Sequence, residues 1–383
     1  MSIPIEYEYL RLIWWLFLGV LLIGFAVMDG FDLGVATLLP FVARNDVERR
    51  VAINAIGPVW DGNQVWLILG GGAIFAAWPP IYAAAFSGFY LAMFLVLAAL
   101  IVRPVGLEFR NKMAGPRWRA FWDYALFVGG LVPSLVFGVA IGNLLQGVPF
   151  RIDHDMRVLY EGSGLWELLN PFGLLCGLVS LSMLVSHGAT YLAAKSDGAV
   201  QARARTVASR GPLVTIVLFV LAGVWVALGV KGYAITSAVA VDGPSDPLLK
   251  TVAQVPGAWL ANYSIHPWMA LAPALAIVGG LLTAFLSARG RAGPAFVASG
   301  VGIFGVVSTA GVSMFPFLMP SSIDPAASLT VWDASSSQAT LFVMLIATLI
   351  FLPIVLAYTS WAFYILRGAV TAAQVRDNSP SLY

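Results

Sequence analysis

The chain has 383 residues, of which 60% are hydrophobic and 10% charged, with a formal net charge of +2. A soluble domain carries about 25% charged residues, so this composition excludes a soluble enzyme and a disordered chain, and the small net charge excludes a polyanion partner such as nucleic acid. A single cysteine, Cys176, excludes a disulfide framework and a cysteine-based metal site. What remains is an all-α polytopic membrane protein, because the apolar runs are long and continuous rather than short and alternating as in a β-barrel.

A span takes about 20 apolar residues. Nine such runs follow one another, over 12–42, 52–78, 81–105, 121–146, 171–194, 212–230, 267–288, 294–316 and 340–366. The first opens on Trp14 and Trp15, which suit an interfacial aromatic belt. It is preceded by Glu6 and Glu8 and only one cation, Arg11, the reverse of a cleavable signal's basic start. The second is interrupted by Asp61, Asn63 and Gln64. With nine spans the connecting loops alternate sides. Segments 43–51, 106–120, 195–211 and 289–293, the tail after 366 and Arg103 together hold sixteen Lys and Arg; the other side holds five, Arg11, Arg151, Arg157, Lys231 and Lys250. The positive-inside rule then puts the C-terminus in the cytoplasm and the N-terminus outside. Three longer loops, 148–170, 231–266 and 317–338, face outward, and no linker or soluble module divides residues 1–383, which read as one membrane domain.

Ionisable side chains at membrane depth are costly and mark functional sites. Asp29 and Asp32 stand three apart on the first span, hence on one helix face. Asp61 stands in the second span with Asn63 and Gln64. Arg103 ends the third, Glu108 follows it and Asp123 opens the fourth. These six gather toward the cytoplasmic half, while the outer halves of the same spans are nearly uncharged. The pattern suits a polar inlet for protons or cations from one side. The same residues also suit a plainer reading: Asp29 and Asp32 pair with Arg103 as interhelical glue, and Glu108 and Asp123 are interface residues beside a basic loop. Of three histidines, His154 and His266 fall in or beside outer loops. His187 is alone on its span, where packing is favoured over ligation. No phosphate loop, nucleophile elbow or metal-spaced cluster is present, so no redox centre or covalent chemistry is expected from this chain alone.

The ordered motifs RLIWWLFLGVLLIGFAVMDGFDLG, RNDVERR, WDGNQVWLI, GGAIFAAWP, AAAFSGFY, RPVG, GNLLQGVPF, LNPFGLL, GATYL, LAGVWV, GAWLAN, SMFPFLMPSS, ASLTVWDASSSQ and the terminal SLY resemble subunit II of cytochrome bd-type quinol oxidases over nearly the whole length. The resemblance implies nine transmembrane helices, as two four-helix bundles plus one peripheral helix. It implies a haem-bearing partner, subunit I, which holds haems b and d and the quinol-binding loop, with small single-span subunits and a structural quinone as further components. Quinol and O2 are the implied substrates, water the product, and the proton motive force arises from cytoplasmic uptake and outward release. A proton path at the subunit interface is implied for Asp61 and Glu108. Relatives often carry Asp at the latter position, and Glu108 keeps the carboxylate on a longer stem. Trp60, Asp29, Asp32 and Arg103 match motif positions for which supporting roles are implied. Two other functions fit the residues: a proton-coupled transporter using Asp29 and Asp61, and a pure assembly scaffold. A transporter is disfavoured because its site belongs near the midplane in both halves of a repeat, whereas the second half of this chain has almost no acids in its spans.

Overall fold

Long apolar runs with few helix-breaking turns fold as helices here because, in lipid, a helix satisfies its own backbone groups. The computed structural model describes residues 3–162 and 164–377; the terminal SLY lies outside the described residues. Among these, eight helical segments are long and apolar enough to cross a membrane. They are α1 (Tyr7–Val42), α5 (Tyr90–Phe109), α6 (Pro116–Gln146), α8 (Pro171–Lys195), α9 (Gly198–Gly229), α11 (Leu271–Ala288, preceded by a 3-10 turn at Pro267–Ala270), α12 (Ala292–Met314) and α13 (Gln338–Ile365). The remaining α-helices are α2 (Asp46–Ile56), α3 (Trp60–Ala77), α4 (Pro79–Gly88), α7 (Leu165–Leu168), α10 (Ala261–Ile265) and α14 (Ala372–Asp377).

Two expected spans are each divided. The run 52–78 becomes α2 and α3, separated by a turn at Gly57–Val59, where Pro58 contributes no N–H to a helix. Helix α2 is a polar-faced segment capped by Asn45, whose side chain accepts from the Glu48 N–H at 3.0 Å. Helix α3 has 18 residues, and its polar first turn keeps it less apolar than the other eight. The run 81–105 becomes α4 and α5, with Phe89 at φ −100° and ψ 20° between them. A third boundary also moves: α9 begins fourteen residues before Pro212, which sits inside the helix rather than at its start.

The two ends of the helices differ in kind. At one end the basic connections hold α2 and α14. At the other, the three longer loops form antiparallel hairpins, a feature the all-helical expectation lacked. Strand β1 (Phe150–Ile152) pairs with β2 (Val158–Tyr160), β3 (Lys231–Ile235) with β4 (Val252–Pro256), and β5 (Phe317–Met319) with β6 (Leu329–Thr330). Fully buried Arg11 ties these loops to α1, donating to Ser335 Oγ at 2.8 Å, Gly243 O at 3.0 Å and Ser245 Oγ at 3.0 Å. Lys250 and Asp333 form a buried ion pair at 2.9 Å between two loops.

Helix α1 packs on α3, α6, α8 and α12; α5 packs on α6; and α8, α9, α11 and α12 form a second closed set. Small residues permit the closest approaches. A Cβ on Gly188 of α8 would lie 2.5 Å from the carbonyl carbon of Gly34 on α1, and one on Gly279 of α11 would lie 2.5 Å from the Gly302 nitrogen on α12. Helix α13 stands apart, burying only Leu341 and Leu345.

Candidate functional site

Three-residue spacing puts Asp29 and Asp32 on the same side of α1, and that side meets α3 and α5. Arg103 of α5 donates from Nη2 to Asp29 Oδ1 at 2.7 Å, and both side chains have 0% exposure. Asn63 of α3 donates to Asp32 Oδ2 at 2.8 Å, and Arg103 Nη2 also reaches Gln64 Oε1 at 3.3 Å. Four further polar atoms of this cluster have no hydrogen-bond partner among the described residues: Asp29 Oδ2, Asp32 Oδ1, Arg103 Nε and Arg103 Nη1. Buried polar groups are normally satisfied, and orphaned ones in a native site call for a cause such as a functional role. Two carboxylates against one guanidinium leave an excess of acceptors, a composition suited to holding protons or solvent in the span.

The six ionisable residues fall into three groups. The first is this buried cluster. The second is Asp61 and Glu108, both exposed. Asn63 and Asp61 are two residues apart, about 200° around a helix of 3.6 residues per turn, so when Asn63 faces Asp32 its neighbour faces out. Asp61 heads an exposed apolar stripe on α3 that continues through Val65, Ile68 and Phe75. Glu108 ends a matching stripe on α5 through Tyr90, Phe94, Leu97, Ile101 and Val105. The Arg103–Gln64 hydrogen bond links the two helices within about one and a half turns of both acids.

The third group is at the basic end. Asp123 accepts from Arg49 at 2.6 Å and from Arg110 Nε at 2.6 Å, while Asp46 accepts from Arg110 at 3.0 Å and Arg119 at 2.9 Å. Beside it, Glu48 takes both arms of Arg203, at 2.8 and 2.9 Å, and the Arg44 N–H at 2.7 Å. The Arg203 hydrogen bonds hold the Glu48 carboxyl below the usual carboxylate range. Asp46, Arg49 and Arg110 were not singled out in the sequence. The Arg110–Asp46 and Arg49–Asp123 pairs join residues 64 and 74 apart, which no local spacing signals, although Arg110 and Asp123 are only 13 apart.

Trp60 opens α3 and packs, partly buried, on the apolar cluster around Ile56 and Val59. His187 is fully buried, with Nε2 donating to the Val27 carbonyl at 2.9 Å, Nδ1 against Ser299 Oγ at 3.0 Å, and its ring stacked on Phe296 at 4.6 Å. Its own chain thus engages both ring nitrogens, which makes it a packing residue and does not fit axial haem ligation. His154 and His266 are exposed in the hairpin-end loops. The described residues include no group of three His, Cys, Asp or Glu able to hold a metal ion.

The family described as cytochrome bd terminal oxidase subunit II has a model that matches residues 10–366. The chain is 54% identical to a probable cytochrome oxidase subunit 2 of Haemophilus influenzae, over 99% of this chain and 100% of that one. It is 52% identical to the cytochrome bd-I ubiquinol oxidase subunit 2 of Escherichia coli strain K12 over the same shares. Against the cytochrome bd ubiquinol oxidase subunit 2 of Bacillus subtilis the identity is 34%, over 94% of this chain and 96% of that one. The solved bd oxidase from Geobacillus thermodenitrificans contains a chain of the same fold, with a TM-score of 0.67 over 94% of this chain and 97% of that one at 17% identity.

Proposed function

The chain belongs to the cytochrome bd terminal oxidase subunit II family, and from that premise we propose that it is the haem-free subunit of a quinol:O2 oxidoreductase, partnered with a haem-bearing subunit I in the bacterial cytoplasmic membrane. Haem in subunit I supplies the electron transfer that reduces dioxygen. This chain supports that subunit and lends it a proton route from the cytoplasm. The engaged nitrogens of His187 support assigning the haems to the partner.

Nine crossings fit this reading. Helix α3 starts beside Asp32, toward the basic end, and finishes at the hairpin end, where the Ser336 N–H donates to the Ala77 carbonyl at 2.8 Å. At 1.5 Å per residue its 18 residues reach about 27 Å, close to a bilayer's hydrocarbon thickness of about 30 Å. The adjacency of α1, α3, α5 and α6, the second set of α8, α9, α11 and α12, and the detached α13 support two four-helix bundles and a peripheral helix in one membrane domain. The basic end is assigned to the cytoplasm by its arginines, which leaves the N-terminus periplasmic.

The observation that carries the proton route is the outward placement of Asp61 and Glu108 at the basic ends of two exposed apolar stripes. An apolar face of this kind is covered by lipid or by protein. With subunit I on it, the two carboxylates line the seam at its cytoplasmic mouth, and the Arg103 cluster lies behind them. Protons entering there pass between carboxylates and water without crossing the apolar stripes unaided.

The test is oxygen consumption per haem in the assembled complex. Asp61→Asn and Glu108→Gln are expected to slow turnover per haem by roughly 100-fold at most affected, the lower end of what a positioned proton-transfer group contributes. Unchanged turnover per haem in both variants would leave the scaffold reading, which the Asp29–Arg103 pair also fits. A transporter is disfavoured by the absence of any acidic residue from α8, α9, α11, α12 and α13.

A further inference from the structure

The chain beyond α13 folds back against the basic end. Gly368 adopts φ 115°, a turn that favours glycine. The Val370 N–H then donates to the Lys195 carbonyl at 2.8 Å, Val370 bridges Ser196 in parallel, and α14 lays fully buried Val375 against α2. This strap, α2 and the ends of α8 and α13 line a half-open cavity of about 440 Å³, within the roughly 300–1,000 Å³ range of small-molecule sites.

The lining combines two chemistries. Val59, Tyr191 and Phe363 supply apolar and aromatic surface, and Lys195 and Arg367 supply two cations, with no carboxylate among the lining residues. The Lys195 ammonium spends one hydrogen on the Leu366 carbonyl, at 2.6 Å, and has two more to donate. The Arg367 guanidinium lies over the Tyr364 ring at 4.2 Å, which orients its plane and leaves its edge to an acceptor. Among the described residues neither cation has a carboxylate within 4 Å. Exposed Asp197 lies two residues beyond Lys195 and outside the lining. Helix α13, which forms one wall, exposes Val343, Ile350, Ile354 and Trp361 along its length, as a lipid-facing helix does.

We propose that this cavity binds the phosphate headgroup of an anionic phospholipid. Lys195 and Arg367 meet the phosphate, and Tyr191 and Phe363 pack against the glycerol end of the acyl chains. Cationic pockets between membrane helices recognise anionic headgroups in this way, by charge at headgroup level with apolar surface behind it. The bound lipid would fill the gap between α13 and the helices it barely touches, and so hold the peripheral helix and the tail to the rest of the chain. The inference goes beyond the oxygen chemistry and does not depend on the proton route.

The experiment uses the whole oxidase complex, washed of lipid in detergent and titrated with phosphatidylglycerol under native mass spectrometry, with phosphatidylcholine and inorganic phosphate as parallel probes. One phosphatidylglycerol is expected to be retained in preference to phosphatidylcholine, and millimolar inorganic phosphate is expected not to displace it. The double variant Lys195→Gln with Arg367→Gln is expected to weaken its retention about 30-fold, from two basic groups lost beside an anionic headgroup. Lys195→Arg, which keeps the charge, is expected to retain it. Should the double variant not assemble, Arg367→Gln alone, on an exposed residue beyond α13, carries the same comparison. Equal retention in wild type and variant, equal retention of phosphatidylcholine, or displacement by inorganic phosphate would each overturn the proposal, the last by making free phosphate the ligand.

Discussion

Arg103 and Arg110 stand two helical turns apart at the basic half of α5 and meet aspartates in opposite ways. Arg110 uses every nitrogen: Nε and Nη2 grip Asp123 at 2.6 and 3.3 Å, Nη1 takes Asn111 at 2.9 Å, and Nη2 takes Asp46 at 3.0 Å. Among the described residues Arg103 uses Nη2 alone, and the carboxylates facing it each keep an unpartnered oxygen. The first arrangement is a clamp that joins α2, α5 and α6 where solvent is near. The second leaves hydrogen-bonding capacity open inside the span. Each idle buried group costs about 1–3 kcal/mol. The contrast separates a guanidinium that is fully engaged from one that keeps hydrogen-bonding capacity unused.

The hardest blow to the comparison is Arg103→Met. It leaves Asp29 and Asp32 buried without a cation, and removing one partner of a buried pair costs about 3–5 kcal/mol. Loss of assembled complex, or a markedly lowered unfolding temperature, is the expected outcome. Recovery at wild-type yield and stability would show the cluster to be dispensable.

A smaller and sharper test compares lysine at both positions. Arg110→Lys cannot reproduce a fork on Asp123 and Asp46, and each charged hydrogen bond lost costs about 1.5–3 kcal/mol. Arg103→Lys gives up less, because one nitrogen makes all its contacts. Thermal unfolding of the two variants should rank them in that order, and equal losses would erase the contrast.

The smallest effect belongs to Glu48 and Arg203. Folding holds the Glu48 carboxyl below its ordinary value, so the stability this pair adds is present above an unfolded pKa of about 4.3 and is lost as pH falls through the depressed folded value. Glu48→Gln should flatten that acid-side decline and cost up to about 1 kcal/mol near neutrality, as partly exposed pairs do. Unfolding curves of both forms between pH 7 and pH 3 measure it; parallel curves would mean that the pair contributes nothing to pH dependence.

The spans were legible because hydropathy is a local property. The ends at Gln146 and Ala288, and the start at Pro171, coincide with those read from composition. The breaks at Gly57–Val59 and Phe89 do not show in hydropathy, because one to three residues leaving helical geometry do not change the average over 25. Pro212 misled in the other direction. Prolines stop helices in water but are tolerated inside membrane helices, where neighbours re-satisfy the freed groups; Pro40, Pro104, Pro133 and Pro353 lie inside helices as Pro212 does. The hairpins were hidden in loops whose strands are five residues or shorter.

The amino-acid order alone determined that the chain resides in a membrane, which of its loops are basic, and that Asp29 and Asp32 share a face, since each follows from residue type and from spacing along one helix. Only the tertiary structure decided that Asp29 and Arg103 close on each other while Asp61 and Glu108 turn outward. That choice depends on how far each helix is rotated about its own axis, and the rotation is set by contacts with neighbouring helices that no single helix encodes.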